Sequence, residues 1–208
     1  MTNPIYARYS CRRFTGEPVT REQLTAVMRA GMQAPSAKNE QPWEFLTVTS
    51  PEGREALAEA SPYAGSCRTA PAVIVALADL NRVDPGSPWW IQDMSACIEN
   101  MLLEAVQLGL GAVWLGMYPR EDRVSAIRAA FGLPETLIPV AAIPVGVPAA
   151  DPAADPAKAS TAVSAADPAE ASAAVPAAEE TGHGPKDRFD PARIRWEEPA
   201  FAREENEI

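Results

Sequence analysis

Three polar clusters stand out in an otherwise apolar and acidic chain as places where chemistry could be done. Arg8-Tyr9-Ser10-Cys11-Arg12-Arg13-Phe14 gathers three arginines and a hydroxyl into seven residues. Guanidinium forks fit phosphate oxygens two at a time, yet arginines also decorate exposed helix ends, so alone this cluster reads equally as an anion site and as a surface patch. Ala34 to Trp43 sets Ser36, Asn39 and Gln41 between Pro35 and Pro42, just ahead of an apolar run. Alone it is a turn. Pro185-Lys186-Asp187-Arg188-Phe189 brings two cations after a long stretch with no aromatic residue, and alone it is a charged loop.

The chemistry of these clusters is narrowed by what the chain lacks. His183, the single histidine, falls in a low-complexity stretch, which removes Ser-His-Asp and Cys-His catalysis. The motifs G-x-S-x-G, G-x-x-x-x-G-K-[ST] and G-x-G-x-x-G are absent, and Gly109, Gly111 and Gly116 do not meet the last spacing. Cys11, Cys67 and Cys97 are far apart with no CxxC, so neither a disulfide framework nor a metal site is expected. Glu52 with Glu55, and Glu121 with Asp122, sit where helix starts place solvated acids. A hard chemical step would then fall most economically to a bound organic cofactor. The net charge of −10 disfavours a nucleic-acid binder. No run is long enough to span a membrane, and Met1–Phe14 lacks the apolar stretch of a secretory signal, so a cytoplasmic protein is expected.

Elements must hold these clusters in place, and 208 residues suffice for one domain with a real core. Thr20 and Gln23 form a T-x-x-Q capping box, followed by Leu24, Val27, Met28 and Gly31 on one face of a helix that ends near Ala34-Pro35. Trp43–Thr49 and the apolar run Pro71–Asp79 read as strands. Ile91–Leu108 reads as a buried helix ended by Gly109, and Leu110–Gly116 as a strand. Arg120–Phe131 is a helix stopped by Gly132, and Leu137–Val147 a strand whose Pro139 and Pro144 suggest an edge or a bulge. The class is α+β or α/β. Residues 149–184 repeat Ala-Ala-Asp-Pro three times, carry a net charge of −5 and contain no Leu, Ile or aromatic residue, so a flexible insert is expected there. Residues 1–148 with 185–208 would form the single domain.

Together the clusters resemble the nitroreductase family of FMN-dependent flavoproteins. The likeness spans R-x-S-x-R-x-F at the start, the loop A-P-S-x-x-N-x-Q-P-W, Trp89-Trp90-Ile91-Gln92-Asp93 opening the long helix with Asn100 inside it, Gly109–Gly116, and P-K-x-R near the end. Only the insert lies outside it. The resemblance implies an α+β, three-layer α/β/α sandwich with a central, mainly antiparallel sheet. It implies an intertwined homodimer with two FMN molecules at the interface, taking electrons from NADH or NADPH by a ping-pong mechanism and passing them to a nitroaromatic, a quinone or a similar small electron-poor acceptor. Another flavin reaction on the same fold, such as reductive dehalogenation or oxidation, and a non-catalytic flavin-binding module are the alternatives.

Carried over residue by residue, the resemblance assigns Arg8, Ser10, Lys186 and Arg188 to the FMN phosphate and ribityl chain, with Tyr9 between the first two. Arg12 falls near the pyrimidine end of the ring, where a fixed cation favours the negative charge of reduced flavin. Pro35, Ser36, Ala37, Asn39 and Gln41 would reach the flavin of the other subunit. Leu115, Gly116 and Met117 would lie along the ring, with Gly116 where some relatives have Glu. Phe189–Trp196 looks like an arm laid over the partner subunit. Asn100 reads as a structural hydrogen-bonder, and Trp89 and Trp90 read either as the mouth of a channel or as simple packing.

Overall fold

The structure, a computed structural model, describes residues 3–149 and 187–197. Lys186 and, apart from Ala149, the segment read as an insert lie outside the described residues. The helices are α1 (Pro4–Ala7), α2 (Arg21–Met32), α3 (Pro51–Glu59), α4 (Ser66–Thr69), α5 (Trp90–Gln107) and α6 (Glu121–Phe131). The strands are β1 (Trp43–Val48), β2 (Ala72–Asp79), β3 (Gly111–Ala112), β4 (Leu115–Gly116), β5 (Leu137–Gly146) and β6 (Ile194–Trp196). They form one mixed sheet in the order β3-β5-β2-β1-β6, with β4 also on β5. Every pairing is antiparallel except that of β1 with β6.

Alternation along the strands sends side chains to both faces of this sheet, as a two-residue period requires. Trp43, Phe45, Ile74, Ala76 and Ile143 join Leu24 and Met28 of α2 and Met94, Ile98 and Met101 of α5 in one cluster. Leu46, Val48, Val73, Val75 and Leu77 join Leu57 of α3, Cys67 of α4 and Ile127 of α6 in another. α2 starts at the capping box its sequence encodes: Thr20 Oγ1 accepts Gln23 N–H at 3.2 Å, and Gln23 Oε1 accepts Thr20 N–H at 2.9 Å. Gly31 lets α2 lie close on α5, since a Cβ there would stand 2.8 Å from Met101 Cγ. α6 stops at Gly132, left-handed at φ 61°.

The stretch Leu110–Gly116 is not one strand: β3 and β4 keep a common register on β5, but Val113 and Trp114 between them are unpaired. That register sets Val113 opposite Pro144, which has no N–H to donate. β5 is not an edge strand either; it lies between β2 and β3. Each of its residues bonds to only one side, so a proline is tolerated where its missing donor faces a gap. The bulge reading holds, because the pairing slips between Ala76–Ala141 and Leu77–Pro139 and leaves Val140 extra. The Val140 carbonyl instead accepts Met117 N–H at 3.0 Å.

Phe189–Trp196, read as an arm toward a partner, lies on its own chain. β6 runs parallel to β1, Arg195 pairs with Glu44 at 2.7 Å, and the Arg21 guanidinium covers the Trp196 ring at 4.1 Å. Glu197 closes the segment: its carboxylate accepts Thr49 N–H at 3.1 Å, Ser50 N–H at 2.9 Å and the Ser50 hydroxyl at 2.7 Å, beside the start of α3.

Candidate functional site

Short α1, opened by the Asn3 side chain accepting Ile5 N–H at 3.0 Å, delivers the arginine cluster to one edge of the sheet. Ser10 bridges Ala112 of β3, and Cys11 N–H donates to the Ala112 carbonyl at 3.0 Å. Cys11 is the inward anchor. It is buried against Gly111, where a Cβ would come within 2.6 Å of its sulfur. With that residue turned inward, its neighbours Ser10 and Arg12 are exposed. The Arg12 guanidinium touches only the flanking Ser10 carbonyl, at 3.3 Å, among its described contacts. Half-buried Arg8 pairs with Glu99 of α5 at 3.3 Å, and Tyr9 is exposed.

Four residues beyond Ala112, Gly116 is exposed between buried Leu115 and Met117. Leu115 and Met117 therefore offer backbone, not side chains, to anything lying on this edge. A Cβ at Gly116 would meet nothing within 4 Å, so the space beside it is open. Arg123 of α6 donates to the Gly116 carbonyl at 2.8 Å while its guanidinium lies 5.6 Å from the Tyr63 ring centre.

The loop Pro35–Gln41 stands at the start of β1. Lys38, Asn39 and Gln41 all have positive φ, at 51°, 58° and 49°. Left-handed backbone is costly for residues with a Cβ, Asn least so, and three such residues must be held by their surroundings. Ser36 Oγ accepts Gln41 N–H at 3.0 Å, Arg193 donates to the Gln41 carbonyl at 2.5 Å, and Lys38 pairs with Asp84. Asp93, in the first turn of α5, accepts Ala37 N–H at 3.0 Å. Pro35, Ser36 and Ala37 face Trp89, Gln92, Asp93 and Ala96 across an open groove of about 370 Å³. Arg188 reaches the end of α2, donating to the Ala34 carbonyl at 2.6 Å.

The expected site residues thus fall into two groups. Arg8, Ser10, Arg12 and Gly116 gather at the β3 edge, whereas Pro35–Gln41 and Arg188 gather by the start of β1, with α5 carrying Glu99 beside Arg8 and Asp93 beside Ala37. Trp90 is packed, its ring edge-on to Tyr118 at 4.9 Å, while Trp89 is half exposed and lines the groove. Asn100 is structural, donating to the Ala30 carbonyl at 3.2 Å. Burial pushes the Cys67 thiol up to about 12 and Cys97 upward as well, which leaves both as thiols at neutral pH. Asp93 and Arg123 were not singled out by sequence reasoning, because an acid in the first turn of a helix and a cation on an amphipathic one look like ordinary solvated charges.

Comparison with known proteins assigns the class. The model of the nitroreductase family matches residues 5–62 and 60–147. A protein of Methanothermobacter thermautotrophicus, provisionally named NADH dehydrogenase/NAD(P)H nitroreductase, is 42% identical over 147 residues, covering 70% of this chain and 75% of its own. Among solved structures, a provisionally named NADH oxidase of Clostridium acetobutylicum superposes with a TM-score of 0.68 at 44% identity, over 71% of this chain and 89% of that one. A provisionally named nitroreductase of Desulfovibrio desulfuricans, determined in complex with FMN, gives a TM-score of 0.62 at 30% identity, over 75% of this chain and 92% of that one. The chain belongs to the nitroreductase family.

Proposed function

We propose that the protein is an FMN-dependent NAD(P)H oxidoreductase, built as an intertwined homodimer of three-layer α/β/α subunits in which residues 1–148 and 185–208 form one domain. The names of its relatives and the FMN bound to one solved neighbour support this reading. The observation that carries it is the docking of the arginine cluster on Ala112, which sets exposed Ser10 and Arg12 on the same sheet edge as open Gly116.

The donor set fits the cofactor. Each guanidinium has five N–H donors, and the contacts described for Arg8, Arg12 and Arg188 use one or two residues apiece. Arg8 and Ser10 would hold the phosphate and ribityl chain together with Arg188 and Lys186 of the neighbouring copy, since Arg188 stands with the loop Pro35–Gln41 and not with Arg8, and Tyr9 would flank them. Arg12 would place a fixed positive charge against the pyrimidine end of the ring, and Leu115, Gly116 and Met117 would present backbone to it. When bound, FMN supplies the two-electron chemistry, taking reducing equivalents from NADH or NADPH and giving them in a second half-reaction to a nitroaromatic, a quinone or a similar acceptor. The protein's own task is to anchor, to polarise and to leave room, which Gly116 does by having no side chain.

A second copy of the chain completes the site in this reading. The loop Pro35–Gln41, with Ser36, Ala37, Asn39 and Gln41, stands three strands from Arg12, as suits a loop that serves the neighbouring subunit. Ile5 and Tyr6 of α1 are 64% and 86% exposed, and apolar area of that kind suits a subunit contact. The phosphate anchor is tested by titrating flavin-free protein with FMN and with riboflavin, followed by flavin fluorescence. FMN is expected to bind at least about tenfold more tightly, the worth of one charge-assisted hydrogen bond; equal affinity would remove the roles of Arg8, Ser10 and Arg188.

A further inference from the structure

Asp93 is placed unlike an ordinary first-turn acid. Such a residue gains from the helix N-terminus while staying in water, yet Asp93 is only 6% exposed. One of its oxygens accepts Ala37 N–H at 3.0 Å; the other is buried with no hydrogen-bond partner among the described residues. Burial raises its pKa, the bond from Ala37 lowers it, and Glu40 nearby raises it again. An apolar residue of the same shape would be cheaper for the fold, so the carboxylate answers a different demand.

That demand is set by the loop it grips. Ala37 lies immediately before Lys38 and Asn39, two of the three left-handed residues, and the bond from α5 is made at the point where the loop leaves extended geometry. We propose that Asp93 is a positioning residue: its carboxylate clamps the Ala37 N–H and keeps the loop Pro35–Gln41 in the strained shape in which Ser36, Asn39 and Gln41 serve the cofactor. The proposal rests on the flavin reading above for the use of the loop, and on the structure alone for the clamp.

Two variants of the full chain test it, Asp93→Leu, which fills the space without an acceptor, and Asp93→Asn, which retains one. Amide hydrogen exchange over residues 36–41 in flavin-free protein reads the clamp, and FMN titration reads its use. Asp93→Leu is expected to speed exchange and to weaken FMN binding, each by roughly tenfold or more, as loss of a hydrogen bond to a charged group implies. Asp93→Asn is expected to restore both to within about threefold of wild type. Unchanged exchange in Asp93→Leu, or equal loss in both variants, would overturn the clamp. Faster exchange with unchanged FMN affinity would overturn its use. Wild-type protein that binds no FMN would instead overturn the proposed function, and exchange would still decide the clamp. Should Asp93→Leu fail to fold, Asp93→Ala takes its place with the same outcomes.

Discussion

Arg12 and Cys11 show how neighbouring residues divide labour. Cys11 is packed against Gly111 and fixes the segment, which frees Arg12 to stand in solvent with its charge unspent on the fold. Replacing Arg12 should therefore harm chemistry and spare stability. Arg12→Ala is expected to slow anaerobic flavin reduction by NAD(P)H by roughly tenfold or more, while Tm moves by no more than about 2 °C, since exposed side chains seldom contribute over about 0.5 kcal/mol. Stopped-flow absorbance and a thermal melt read the two effects, and unchanged reduction kinetics would cancel the role given to Arg12. At this scale the sequence marks candidate clusters where side-chain chemistry is contiguous, as in Arg8–Arg12 and Pro35–Gln41. It was silent where burial decides: nothing local marks Asp93 as turned inward, or Met117 as lying in the core while Gly116 faces out.

The elements tell the same story. α2 was readable because a capping box and an apolar face are local signals, and both are present in the structure. β5 was left open between an edge and a bulge because the cost of a proline depends on which neighbour its nitrogen faces, a fact held by β3 and β2 and not by the strand itself; the bulge is what the structure contains. β3 and β4 were merged for the same reason. The seat of β6 was equally out of reach, since its partners Glu44, Arg21 and the start of α3 are more than a hundred residues away in sequence. Glu197 is the tie this seat depends on, accepting three hydrogen bonds from Thr49 and Ser50. Glu197→Ala is expected to cost about 1–2 kcal/mol, through charged hydrogen bonds lost beside the start of α3. Urea unfolding measures it, and a midpoint unchanged from wild type would show that β6 is held by packing alone.

For the whole molecule, one chain offers two proposed half-sites, one at the β3 edge and one by the start of β1, and an exposed α1 surface beside the first of them. Two copies would cover that surface and bring the loop of one subunit to the arginines of the other. Ile5→Asp combined with Tyr6→Asp places two charges on the proposed contact. The double variant is expected to sediment as a monomer and to lose FMN affinity by roughly tenfold or more, because an unpaired charge is costly to bury; a monomeric variant with wild-type affinity would mean that each subunit holds its flavin unaided. The central claim, a flavin reduced by nicotinamide, is tested most directly by the visible absorption spectrum of the purified protein loaded with FMN, taken anaerobically before and after NADH and then NADPH. The bands of oxidised flavin, altered from those of free FMN by binding and then bleached by at least one of the two donors, are the predicted result. A protein that leaves the spectrum of added FMN unchanged and is not reduced by either donor would contradict the account.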